Sequence, residues 1–127
     1  MTKSPGHRRH PEYRITKQCM EDRVQVVVAG EIVADSYDVI KVEEEGARPR
    51  YYFPQQHVRA QCLDWSPTIT VCPFKGIAQY FNVNAGGRVL EDAAWSYANP
   101  YEEHAALKGR FAFFEEKAPE IDIRASS

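Results

Sequence analysis

The chain has 127 residues, 43% hydrophobic and 27% charged, with a formal net charge of −2, the size and balance of one globular domain. So small a charge leaves no electrostatic footprint for nucleic acid, and the longest apolar runs, such as Val26-Val27-Val28-Ala29, fall far short of the roughly 20 residues of a membrane span. Neither nucleic acid nor membrane is an expected partner. No apolar segment follows the amino terminus as a signal peptide requires, and Cys19, Cys62 and Cys72 are odd in number and widely spaced. They cannot complete a disulfide framework, so a cytoplasmic location is expected.

In chain order, residues 1–22 are polar, with Pro5 and Pro11 and no periodicity, and read as a flexible tail. The basic cluster His7-Arg8-Arg9-His10 reads as part of that solvated tail. Residues 23–123 form the expected single domain. Arg23 to Val28 is rich in β-branched residues and reads as a strand, joined through Ala29-Gly30 to a partner from Glu31 to Ala34. Asp35-Ser36 suits a turn, Tyr37 to Val42 a third strand, and Glu43-Glu44-Glu45-Gly46 a solvated acidic loop.

Arg50 to Phe53 is extended and stops at Pro54, while residues 55–64 carry no clear period. Ser66-Pro67 marks a turn. Ile69 to Cys72 and Ile77 to Val83 are strands; the second carries an aromatic ring on each face, so both faces should meet other atoms. Asn84-Ala85-Gly86-Gly87 is a hairpin signal leading into a strand from Arg88 to about Ala94. Asn99 as N-cap, Pro100 at the first position and Glu102 in capping-box register predict one short helix over 100–108, stopped by Gly109. Arg110 to Phe114 and Ile121 to Ile123 close the domain, and residues 124–127 read as a frayed end. Many short strands with one short helix define a mainly β, antiparallel class.

The most informative stretch is Thr70-Val71-Cys72-Pro73-Phe74-Lys75-Gly76. Proline fixes φ and glycine permits positive φ, so the backbone from Cys72 to Gly76 should make a sharp, specified turn that can aim an amine into a cavity. Lys75 has two readings, a ligand-facing amine or half of an ion pair with a carboxylate such as Asp92 or Glu91. Cys72 is either a small buried hydrophobe or, with Lys75 or His57 lowering its pKa, a reactive thiol. Cys62, Cys72, His57 and His104 lack the close-set spacing of a zinc site, so neither metal nor cofactor is expected.

Ala34-Asp35-Ser36, Tyr51-Tyr52-Phe53-Pro54, Cys72-Pro73-Phe74-Lys75-Gly76 with Ala78 and Tyr80, Ala94-Trp95-Ser96-Tyr97 with Pro100, and Ala112-Phe113-Phe114 occur in that order. Together they resemble the family catalogued as domain of unknown function 427, also labelled nucleotidyltransferase-like, over residues 23–123. The resemblance implies an Mss4-like or β-tent architecture, in which sheets meet over a cleft. Many β-tent proteins hold zinc on paired cysteines; those pairs are missing here, so no zinc site carries over. His57 stands where the family commonly has an acidic residue. The nucleotidyltransferase label finds no support in the residues, because there is no Asp-x-Asp pair to hold magnesium and no glycine-rich phosphate loop.

These residues lead to a small-ligand pocket formed by Tyr52, Cys72, Lys75, Tyr80 and Trp95, an aromatic cleft with one amine at its base. Such a lining suits a small anionic or planar, nucleotide-like molecule. Whether chemistry follows binding is open, and so is the oligomeric state. The alternative is a non-catalytic domain that uses exposed aromatic surface or a sheet edge for protein interaction or self-association.

Overall fold

The computed structural model describes residues 2–126. It has ten strands, β1 Ile15–Met20, β2 Arg23–Val28, β3 Glu31–Ser36, β4 Val39–Glu44, β5 Arg50–Tyr52, β6 Leu63–Cys72, β7 Gly76–Ala85, β8 Arg88–Ser96, β9 Phe111–Phe113 and β10 Ile121–Ser126. They form three antiparallel sheets, ordered β1-β4-β5, β10-β2-β3 and β6-β7-β8-β9. The protein is therefore mainly β, as the alternation of its apolar residues requires.

The central four-stranded sheet serves two cores at once. Along β7 the odd face sends Val83 and Ala85 into a core with Val24, Val26 and Val28 of β2, joined by Phe111 and Phe113 of β9. The even face sends Ala78 into a second core with Ile40 and Val42 of β4, Tyr52 of β5, and Trp95 and Ala112 from β8 and β9. A strand buried first on one face and then on the other needs aromatic side chains on both, and β7 has Phe81 and Tyr80. Phe53, just past the end of β5, bridges to Phe111 of β9, linking the edges of two sheets.

Several sequence expectations change in the structure. The segment read as a flexible tail contains helix α1, Pro5–Arg9, and β1, whose six residues pair with β4 from Ile15↔Glu44 to Met20↔Val39. Periodicity gave no sign of β1 because only Ile15 and Met20 are even partly buried in it. Residues 124–126, read as frayed, pair with β2 in β10; the ends of the two expected tails, Met1 and Ser127, lie outside the described residues. Asp35-Ser36 ends β3 instead of forming a turn.

The expected helix over 100–108 is a kinked 3₁₀ segment, Glu102–Leu107, with no side-chain cap. Its opening N–H groups are taken by distant carbonyls, Tyr101 N–H by Lys75 O at 2.9 Å and Glu102 N–H by Thr2 O at 2.9 Å, so Asn99 caps nothing. Ser66-Pro67 lies inside β6 as a bulge, where the register with β7 shifts between Trp65 and Ile69. Asp92, itself at φ 52°, pins that bulge by accepting from Ser66 Oγ at 2.6 Å and Thr68 Oγ1 at 2.8 Å.

Candidate functional site

The turn between β6 and β7 has the shape its residues demand. Gly76 adopts φ 126°, and a Cβ there would meet Asn99 O at 3.3 Å, so both backbone angle and space call for glycine. The turn folds the Lys75 side chain inward, leaving it 7% exposed, and its ammonium donates to Glu44 Oε1 at 2.5 Å. Glu44 ends β4 on the same face as Ile40 and Val42, so the acidic run is not simply a solvated loop. The lysine's partner is Glu44, neither Asp92 nor Glu91.

Glu44 is the hub of this corner. Burial pushes its carboxyl up, but bonds from Lys75 and Tyr13 outweigh burial and leave its pKa below the ordinary value. Tyr13 donates its hydroxyl to Glu44 Oε2 at 2.8 Å, and that bond, with burial and the charge of Glu44 behind it, raises the phenol to about 12. The Tyr13 ring stacks on Phe74 with centroids 4.2 Å apart. A second chain of bonds runs alongside. Lys17 Nζ lies 2.9 Å from His104 Nδ1, and His104 Nε2 lies 2.8 Å from His7 Nε2. An ammonium can only donate, so Nδ1 accepts, Nε2 carries the proton, and His7 receives it. His104 is buried, and burial, followed by the charge of Lys17, lowers its pKa from 6.5 to about 4.

The amino-terminal segment closes over this corner. Gly6 N–H donates to Pro73 O at 2.8 Å, Ser4 Oγ to the same oxygen at 2.8 Å, and Ser4 N–H to Glu103 at 2.9 Å. A Cβ on Gly6 would stand 2.7 Å from Pro73 O and 2.8 Å from the Phe74 ring; only glycine lets the segment lie this close. Between segment and turn is a cavity of about 390 Å³ lined by Gly6, Arg9, His10, Glu12, Tyr13, Glu45, Pro73 and Phe74.

Four of the five residues expected as a pocket, Tyr52, Cys72, Tyr80 and Trp95, share the second core but are not equally available. Tyr52 and Trp95 are buried, with Trp95 Nε1–H donating to Tyr52 Oη at 3.1 Å, and both serve packing. Cys72 is half-buried against the same core. Tyr80 is half-buried, its hydroxyl 3.0 Å from Thr70 Oγ1 and its ring stacked on Phe114. Lys75 faces Glu44. His57 is exposed, with Nδ1 at 2.6 Å from Ser36 Oγ.

Tyr13, Lys17 and Arg50 carry no mark of the site in the sequence, and His7 and His104 are read there only as a solvated tail residue and as a residue without zinc-site spacing. Arg50 sits with Cζ 5.2 Å from the Trp95 ring and 5.1 Å from Phe114, and its bidentate bond holds Glu116 near 2. A period-two reading extended from Ile40 and Val42 would have placed Glu44 on the buried face; the others carry no local signal. Among the described residues, no group of three or more His, Cys, Asp or Glu is arranged to hold a metal ion, and no helix is long and apolar enough to cross a membrane.

A family model described as "Domain of unknown function (DUF427)", labelled NTP_transf_9, matches residues 17–124. The chain belongs to this family. No curated protein matches it in sequence.

Two outcomes follow from the corner's electrostatics. Lys75→Met strands a mostly buried carboxylate that still keeps Tyr13, so it should cost about 2–4 kcal/mol in urea denaturation, toward the lower part of the range for broken buried pairs. Glu44→Gln combined with it should cost clearly less than the two single losses added together; strict additivity would mean the pair is not coupled. The second outcome concerns pH. Because His104 stays neutral down to about 4 when folded, its contribution is complete above pH 6.5 and is lost as pH falls toward 4. The melting temperature should decline between pH 6.5 and 4.5, before the carboxylates titrate, and His104→Gln should flatten that decline.

Proposed function

We propose that the protein binds a small planar acid, nucleotide-like in having a ring and an anionic group, in the cavity beside the Cys72–Gly76 turn. The observation that carries this reading is that one side chain, Tyr13, both lines the cavity and bonds the buried Glu44–Lys75 pair. A ring entering the cavity meets the Tyr13–Phe74 stack, which offers a flat apolar face. Arg9 is the lining's cation for the acid, set against two carboxylates, Glu12 and Glu45, that share the lining, and the Lys75–Glu44 pair fixes the turn behind it. This shifts the centre of the site from Tyr52 and Trp95, which build its support, to Phe74 and Tyr13, with Cys72 and Tyr80 on the neighbouring core.

The arrangement supports binding more than catalysis. The nucleotidyltransferase label asks for magnesium-holding carboxylates. Glu44 is engaged by Lys75 and Tyr13 and Glu103 by the Ser4 backbone, while Glu12 and Glu45 on the cavity lining belong to no group of three or more such side chains arranged to hold a metal ion among the described residues. Three unpaired thiols fit a reducing, cytosolic setting for such a binder. A thermal-shift and calorimetry panel of AMP, benzoate and inorganic phosphate tests the reading. AMP or benzoate should raise the melting temperature and phosphate alone should do less, while Phe74→Ala and Arg9→Gln should each weaken binding at least tenfold. No shift with any ring-bearing acid, or equal binding by both variants, would sink the idea.

A further inference from the structure

Away from the turn, the outer strand β6 presents a surface that the ligand reading leaves unused. It is the terminal strand of its sheet, so among the described residues no strand pairs with its outer edge. Its register with β7, Trp65↔Phe81, Ile69↔Gln79 and Val71↔Ile77, puts Trp65, Ile69, Val71 and Ile77 on one face. All four are more than half exposed: 66%, 55%, 70% and 56%. Residues 65–74 contain no charged side chain. Edge strands usually protect themselves with lysines, prolines or bulges. Here Pro67 and the Ser66–Thr68 bulge protect only the first half, leaving Ile69 to Cys72 open.

We infer that this edge is a dimer interface, pairing β6 of one copy with β6 of a second copy antiparallel about a two-fold axis at Thr70. Parity sets the register. Shifting a strand pair by one residue exchanges its faces, so the apolar faces of both copies coincide only when the paired residue numbers sum to an even value. Pairing Thr70 with Thr70 satisfies this, sets Ile69 beside the partner copy's Val71 and the reverse, and keeps the bulge and the Pro73 turn outside the pairing. The aliphatic side chains then form one continuous strip, extended by Ile77 from each copy.

A second copy suits the surface better than a charged partner would. The strip is uncharged on both sides of the axis, so two identical chains of net charge −2 meet without like charges at the contact. The four side chains present on the order of 400 Å² of apolar surface, taking about 150–250 Å² for a large aromatic and less for the aliphatics. That is about half of the ~800 Å² each partner buries in a standard interface, with the paired strand backbone and rim adding to it. The two-fold axis also leaves the Cys72–Gly76 turn and its cavity at the outer ends of the pairing, so dimerisation and ligand binding are separate events.

Sedimentation velocity of the full chain over a concentration series provides the test. Wild type should reach dimer mass by tens of micromolar, and Val71→Lys or Ile69→Lys, which set like charges on the shared strip, should weaken association at least tenfold with unchanged melting curves. Thr70→Cys should form a covalent dimer under mild oxidation faster than wild type does. A wild type that stays monomeric at hundreds of micromolar overturns the inference. So does a dimer indifferent to both lysines, or a Thr70→Cys variant that cross-links no faster than wild type.

Discussion

The bond between Lys75 and Glu44 ties together two sheets whose backbones also meet at the Phe53–Phe111 bridge. Lys75 belongs to the hairpin turn of the four-stranded sheet and Glu44 to the end of β4 in a three-stranded sheet. Their contact fixes how the two sheets close over the second core. Through Tyr13 it also fixes the path of the chain before β1. A largely buried charge pair is tolerated because each oxygen of Glu44 has its own donor, one ammonium and one phenol, so desolvation is offset at both oxygens.

The neighbouring histidine follows the same logic with the opposite charge. His104 is buried between an ammonium and a second imidazole, and burial first, then the positive charge of Lys17, outweighs the pull of Glu103 and keeps it neutral. Two lysines therefore share a corner in which the histidine acts only as a polar connector. The amino-terminal segment covers that corner, and each of its polar groups that turns inward finds a partner, down to Ser4 on Pro73 and Glu103. Among the described residues no buried side-chain nitrogen or oxygen is left without a hydrogen bond.

Most strands could be read from the sequence because β-branched residues and turn residues recur at strand spacing. Arg23–Val28, the first four residues of β3 (Glu31 to Ala34) and the hairpin around Gly86-Gly87 are examples. The two-faced burial of β7 was legible too, since Phe81 and Tyr80 point opposite ways. What escaped was order imposed from a distance. Residues 4–9 fold because Pro73, Glu103 and His104 receive them, and β1 forms because β4 offers an edge; neither has an apolar period of its own. Asn99 and Pro100 carry a good helix-start pattern, yet Lys75 O claims the Tyr101 N–H and the helix tightens to 3₁₀. At the site, the turn and the importance of Lys75 were visible. Its partner was not, because Glu44 lies within three successive glutamates that resemble an exposed loop.

The cavity and the closed polar corner both depend on the docking of the amino-terminal segment against the Pro73–Phe74 turn. Amide hydrogen exchange of the full chain measures this directly. The N–H groups of Ser4, Gly6 and His7, which donate to Glu103, Pro73 and the Ser4 hydroxyl, should be protected well beyond an unstructured peptide, and Gly6→Ala should remove that protection while leaving β2 and β7 protected. Exchange of those three amides in wild type at unstructured-peptide rates would contradict the account.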